Sequence, residues 1–367
     1  MQKDYFRRIF NRGYMNYIGS KLSLLKFLEN SIIQIAGDVK GFTFCDAFAG
    51  TGAVGTHFKK LGCRVISNDI QYYSYVLNRH YIGNHKPLLF ENIFNIIPQL
   101  ENTAIKERKD IVCGYLNLIE GCEGFIFQNY CPNVNNSRLY FTAENGKKCD
   151  AIRERIEQWY NEKKINDDEY FYLLASLLES IDKKANTASV YGAYLKKYKK
   201  SAKQSLQYQP LPLFMNDNEH EVYNLDANDL VKNIRPDILY LDPPYNIRQY
   251  AANYHILETI AKNDNPRITG KTGLRDCSKQ KSKYCSRQAV MKEFAELIKS
   301  ANAKYIFLSY NNEGLLSFDD IKKIMNSKGE YGFFEKKYSR FKADNNREYT
   351  SNSTVEFLHY AILNPNS

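Results

Sequence analysis

No stretch of this chain approaches the roughly 20 consecutive apolar residues that a membrane-spanning helix needs, so no bilayer anchor is expected. The start, Met1-Gln2-Lys3-Asp4-Tyr5-Phe6-Arg7-Arg8, is charged and has no apolar core behind it, so no signal peptide is expected either. Cysteine is thinly spread. The eight thiols (Cys45, Cys63, Cys113, Cys122, Cys131, Cys149, Cys277 and Cys285) contain no C-x-x-C pair, which argues for reduced thiols in a cytoplasmic protein. Cys113, Cys122, Cys131 and Cys149 are the one group from which a zinc site might be drawn; their spacing matches no common site, and no metal is expected. Acid is in the minority: 51 Lys and Arg face 41 Asp and Glu, a formal charge of +10. That balance favours a polyanionic partner without separating DNA from RNA or an acidic membrane surface. Tryptophan occurs once whereas tyrosine occurs 29 times. At 367 residues the chain can build one large domain or two smaller ones around a substantial core.

The order of segments narrows the fold. Leu22, Leu25, Leu28, Ile32 and Ile35 recur at helical spacing, with Ser20 as the expected cap and Gly37 as the stop. A strand (Phe42 to Cys45), a glycine loop (Asp46 to Gly52), a helix (Ala53 to Leu61), a second strand (Arg64 to Ser67) and a helix through Tyr75 to Tyr81 follow. This is the βαβ signature of a parallel sheet. From about residue 101 strand alternation fades, and Ile152 to Trp159 and Tyr170 to Ile181 read as helices. The βα pattern resumes with Tyr223 to Leu225, Ile238 to Leu241, a helix near Ala289 to Lys299 and the strand Tyr305 to Ser309. Two aromatic-rich runs, Tyr331 to Phe341 and Val355 to Leu363, then read as an antiparallel hairpin. The expected fold class is α/β: a doubly wound, mostly parallel Rossmann-like sheet carrying a mainly helical and loop insertion. The expected division is 1–97 and 216–367 as parts of one domain, with 98–215 inserted between them.

Two loops carry chemistry. Asp46-Ala47-Phe48-Ala49-Gly50-Thr51-Gly52 lies between strand and helix, where glycines let a backbone approach a ligand closely. With Gly55 it also admits a loose G-x-G-x-x-G reading, so a dinucleotide dehydrogenase shares the signal; Asp69 suits a ribose-hydroxyl acceptor in either case. The second loop, Asp242-Pro243-Pro244-Tyr245, follows the apolar strand Ile238-Leu239-Tyr240-Leu241. Consecutive prolines stiffen the backbone and remove its N–H groups. An acid, a rigid carbonyl and a ring are thereby presented together, which suits a planar amine: two oxygens accept its hydrogens while the ring stacks on its face.

These residues resemble the DNA adenine-specific (N6) methyltransferases of restriction–modification systems, in the alpha-type order of motifs. The resemblance rests on Asp242-Pro243-Pro244-Tyr245, on Phe48, Gly50 and Gly52, on Asn16-Tyr17-Ile18-Gly19-Ser20-Lys21 ahead of the glycine loop, and on the run Asn246-Ile247-Arg248-Gln249-Tyr250. It implies S-adenosyl-L-methionine as cofactor, bound by Tyr17, Gly19, Lys21, Asp46, Phe48, Gly50, Gly52, Asp69 and Asp226, with Lys21 meeting the methionine carboxylate and Asp226 the adenine amine. It implies catalysis by Asp242, Pro243, Pro244 and Tyr245: the carboxylate and the Pro243 carbonyl localise the lone pair of an adenine amine for direct in-line attack on the methyl group, with no covalent intermediate. The base must leave its duplex, with Tyr245 as stacking platform. Double-stranded DNA is the implied partner, with room for a cognate restriction endonuclease, and the enzyme is expected as a monomer or weak dimer.

Two basic stretches are expected to meet DNA phosphate. One is the acid-free segment 183–216, with Lys196, Lys197, Lys199 and Lys200; the other is 262–292, with Arg267, Lys271 and Arg275. Arg248 and Gln249 are expected to reach the flipped nucleotide or its phosphates. His255 reads as a packing or phosphate-contact residue, and Ser309-Tyr310-Asn311-Asn312 as a border of the pocket. Two further readings are methylation of structured RNA and a DNA-binding regulator without catalysis. Intact Asp242 to Tyr245 argues against the regulator; the insertion and the segment after Tyr245 argue against RNA.

Overall fold

Nine strands lie among the described residues: β1 (Thr43–Asp46), β2 (Arg64–Asn68), β3 (Glu221–Tyr223), β4 (Ile238–Leu241), β5 (Ile268–Thr269), β6 (Leu274–Arg275), β7 (Tyr305–Asn311), β8 (Glu330–Ser339) and β9 (Ser353–Ile362). They come from a computed structural model that describes residues 15, 17–339 and 353–363; the charged start, Asn16 and Phe341 lie outside the described residues. The chain divides into two compact units, one of residues 1–18, 79–215 and 251–277, the other of 19–78, 216–250 and 278–367.

The second unit is built on a seven-stranded sheet in the order β3-β2-β1-β4-β7-β9-β8. β3, β2, β1, β4 and β7 pair in parallel, whereas β9 runs antiparallel to both β7 and β8. The α/β class and the antiparallel hairpin anticipated from sequence are present. β4 is four apolar residues, all buried, as a central strand covered on both faces requires. Strand order reverses at the β1–β4 pair, where Asp46 lies opposite Tyr240. Ligands in open α/β sheets bind beyond the carboxyl ends of the strands at such a reversal. Leu239, Leu241, Phe294, Leu297, Ile306, Leu308 and Met325 form the core around it.

The helix Leu25–Ala36 buries Leu25, Leu28 and Ile32 and stops at Gly37, whose φ of 80° suits glycine and whose N–H returns to Ile33 O at 2.9 Å. Its start differs from expectation. A short 3-10 turn, Leu22–Leu24, precedes it, and Ser20 makes no cap; its hydroxyl is buried without a hydrogen-bond partner among the described residues.

The first unit is helical: Ile105–Leu118, Phe125–Tyr130, Ala143–Asn161, Asp167–Asp182 and His255–Lys262, with the small hairpin β5–β6. Asn166 and Glu169 form a reciprocal capping box at the start of the fourth helix. Segment 251–277 belongs to this unit because Arg153, buried on Ala143–Asn161, donates to the carbonyls of Ile260 and Ala261 at 2.8 and 3.2 Å. Burial pushes the thiols of Cys113, Cys131 and Cys149 up, and Cys122 donates to Glu154 Oε2.

Candidate active site

The glycine loop at the end of β1 is laced to its neighbours by side chains. Gly50 N donates to Asp69 Oδ2 at 2.9 Å, and Asp69 Oδ1 accepts from Gln71 N at 2.8 Å. Asn68, buried at the end of β2, donates to the carbonyls of Ala47 and Leu225, both at 3.1 Å, and accepts from Leu225 N at 3.0 Å. Gly50 and Gly52 hold φ of 51° and 79°, the left-handed region where a side chain is penalised. Phe48 meets Tyr284 edge-on at 5.1 Å between ring centres. Asp226 caps the short helix Ala227–Leu230 through Asn228 N at 2.9 Å.

Asp46 is 1% exposed, and its Oδ1 has no partner among the described residues. Burial raises its carboxyl most; the charges of Asp242 and Asp69 add to this, while the N–H groups of Gly55 and Phe48 oppose it, leaving a pKa of about 8. Asp46 is therefore largely protonated at neutral pH.

Asp242 leaves β4 beside this loop and enters a cluster with Lys21, Tyr245 and Glu356. Lys21 Nζ lies 3.1 Å from Asp242 Oδ1 and 2.9 Å from Glu356 Oε1, and also donates to Tyr245 Oη. An ammonium has three N–H donors, and all three are spent here. Lys21 is thus held in the acid cluster through all three contacts. Burial works against its charge, but the attraction of Asp242 and Glu356 outweighs burial and holds its pKa above the ordinary value. Burial likewise lifts Asp242; Lys21 pulls it back and Glu356 pushes it up, to about 6.

Tyr245 is not a free ring. Its hydroxyl lies 2.7 Å from Asp242 Oδ1 and 2.9 Å from Glu356 Oε1, its one proton serving either acid, and its ring tilts against Tyr310 at 4.9 Å. Sequence reasoning missed Glu356. The available signal was an acid among apolar residues in the run Val355 to Leu363, at a position that β9 turns inward. Ser309 does border the cluster, donating to Glu356 Oε1 at 2.7 Å.

The remaining expected residues are placed as follows. Gly19 takes φ of 80° two residues before Lys21, whereas Tyr17 stacks on Tyr254 at 4.9 Å in the helical unit. Gln249 is pinned by both amide atoms to the backbone of Ser282, at 3.0 and 2.8 Å, while Arg248 is exposed. Lys196, Lys197, Lys200, Arg267 and Lys271 are exposed; Lys199 is half-buried on Thr187 O at 2.9 Å. Arg275 is 6% exposed, with its guanidinium paired to Asp264 at 2.5 Å. His255 is buried, with Nε2 at 3.1 Å from Tyr191 O.

An acid at the tip of the strand beside a glycine loop, followed by Pro-Pro-Tyr, is the arrangement of amino-methyltransferases, and comparison with known proteins decides the kind. The model of the D12 class N6 adenine-specific DNA methyltransferase matches residues 17–324. The chain belongs to that family. This D12 methyltransferase is 49% identical over 348 residues to the type II methyltransferase M.NlaIII of Neisseria lactamica, covering 94% of this chain and 98% of that protein. To M.CviAII, a type II methyltransferase of Paramecium bursaria Chlorella virus 1, it is 36% identical over 355 residues, covering 95% of this chain and 98% of that one. To M.FokI of Planomicrobium okeanokoites it is 39% identical over 352 residues, 94% of this chain, and there it spans about half of the relative, 52%. The D12 enzyme is thus an adenine-specific DNA methyltransferase; nothing in these comparisons supports RNA as substrate or a loss of catalysis.

Proposed function

We propose that this enzyme transfers the methyl group of S-adenosyl-L-methionine to the N6 amine of an adenine flipped from a specific site in double-stranded DNA, as the modification half of a type II restriction–modification system. The observation that carries this reading is Asp242, held by Lys21 and Tyr245 at the carboxyl end of β4, beside the glycine loop of β1. The residues fit the cofactor. Gly50 and Gly52 turn the loop through the left-handed region that suits glycine, Asp46 offers a buried oxygen without a partner among the described residues, and Asp69 and Asp226, just past β2 and β3, suit ribose hydroxyls and the adenine amine. Bound there, the cofactor supplies a methyl group on a sulfonium leaving group.

The chain's own part is to bind and orient. Asp242 Oδ and the Pro243 carbonyl accept from the two N6 hydrogens; these bonds strengthen as the nitrogen gains positive charge, which is the differential binding that lowers a barrier. Tyr245 supplies an aromatic wall for the base, its hydroxyl tethered. Exposed Arg248, Lys196, Lys197, Lys200, Arg267 and Lys271 are assigned to phosphate. The relatives named as type II methyltransferases support pairing with a restriction endonuclease of the same specificity.

The test is expression in a host lacking adenine methylation, followed by sequencing of native genomic DNA for modified bases, with Asp242→Ala alongside. Methyladenine confined to one short sequence, and lost in the variant, is the expected result. A clean genome from soluble protein that binds S-adenosylmethionine would overturn it.

A further inference from the structure

Asp242, Pro243 and Tyr245 have work in methyl transfer; the carboxylate behind them has none assigned. Glu356 is fully buried, 0% exposed, on β9, opposite Asn311 of β7 and Lys336 of β8. Its Oε1 gathers three contacts, Lys21 Nζ at 2.9 Å, Tyr245 Oη at 2.9 Å and Ser309 Oγ at 2.7 Å, while Oε2 has no hydrogen-bond partner among the described residues. Lys336 does not neutralise it, since its ammonium sits over the Phe27 ring at 5.6 Å from the centre. Stability is a poor reason for this arrangement. Buried ionic clusters are commonly no better for folding than apolar residues of the same volume, and a buried acceptor left unpaired is costly.

We propose that Glu356 is a positioning residue for methyl transfer: from β9 it holds the Lys21 ammonium and the Tyr245 hydroxyl against Asp242, and it gives the cluster two carboxylates to one cation. The proposal rests on the assignment of Asp242 as the group that accepts from the target amine. Two carboxylates around one ammonium leave a net negative charge in a low-dielectric setting, which favours positive charge developing on the attacking nitrogen. Other titratable groups facing the cluster do not cancel it. Asp46, the last residue of β1, is mostly protonated; Tyr240 is held neutral, its phenol raised by burial; and His359, three residues along β9 and so on its other face, is pushed down to about 4 by burial and stays neutral. Ser309 fixes the carboxylate from the neighbouring strand, so Glu356 is itself held in place.

The test uses the full chain, a duplex carrying the site found by native sequencing, and the variants Glu356→Gln, Glu356→Asp and Ser309→Ala. For Glu356→Gln, kcat is expected to fall by at least about tenfold, with KM for cofactor and DNA nearly unchanged. Removing the like charge also lowers the pKa of Asp242, so the acid limb of the kcat–pH profile moves to lower pH. Without cofactor the same change appears in melting. A raised Asp242 pKa makes stability fall as pH rises from its ordinary value of 3.8 to about 6, and this window narrows in Glu356→Gln. Glu356→Asp restores part of the rate, whereas Ser309→Ala lowers kcat several-fold with the acid limb unmoved. A folded Glu356→Gln protein with wild-type kcat and an unmoved limb overturns the proposal; if that variant does not fold, wild-type kcat in Ser309→Ala does so. Inactivity of the wild type on DNA would instead strike the reading of Asp242, as would full activity in Asp242→Asn.

Discussion

Asn78 closes the glycine loop at the place where Gly52 can carry no side chain. Its Nδ2 donates to Gly50 O at 3.0 Å, its Oδ1 accepts from Ser67 Oγ at 2.7 Å, and that same Oδ1 lies 2.7 Å from where a Cβ on Gly52 would stand. Gly52→Ala would meet both this clash and a φ of 79°. A loss of about 1–2 kcal/mol from the backbone alone is expected, with weaker S-adenosylmethionine binding on top. Calorimetric titration and a thermal melt check it, and an alanine variant that binds normally would show that the loop has room to shift.

Asp242→Asn keeps the shape of the side chain and removes its charge. Methyl transfer should fall by about 10²–10³-fold, on the scale of losing one preorganised group at a reacting centre, while DNA affinity and melting temperature stay close to wild type. Single-turnover methylation beside anisotropy binding on the same duplex separates the two.

Lys21→Met leaves Asp242 and Glu356 facing one another without their cation. Breaking a buried pair in this way costs about 3–5 kcal/mol, so a markedly lower denaturant midpoint is expected. Adding Glu356→Gln to Lys21→Met removes one of the stranded charges and should recover part of the loss. No recovery in the double variant would mean that the lysine stem, and not its charge, supports the site.

The strand ends were legible in the sequence because each is marked locally: a buried apolar run followed by glycines in one case, by Pro-Pro in the other. Lys21 and Glu356 were not legible as partners. They meet through the insertion of β9 between β7 and β8, and no local pattern near either residue specifies that pairing. Ser20 carries the composition of a cap, but the chain enters its helix through a 3-10 turn that begins after Lys21. Arg275 counted as basic surface on composition, whereas Asp264 draws it inside. Charge patterning shows that a lysine or arginine is present, not whether an acid elsewhere has already claimed it.

Asp46 predicts a pH effect of definite sign. Its carboxyl is raised from an ordinary 3.8 to about 8 in the fold, so the folded chain holds a proton that the unfolded chain releases. Stability from this group is complete below the ordinary value and is lost as pH rises from about 4 to about 8. Asp46→Asn, which stays neutral throughout, should flatten that part of the melting-temperature profile; identical slopes in the two proteins would place the proton elsewhere.

The position of β9 also sets an order of events during synthesis. Lys21, the glycine loop and Asp242 leave the ribosome in that sequence, and the parallel strands β1 to β4 can pair before the remainder exists. Glu356 emerges after all of them, on the strand that must slot between two others already made. Until that strand seats, Lys21 has only one of its two acids. A nascent chain of this enzyme can therefore shape its glycine loop well before its acid cluster is complete.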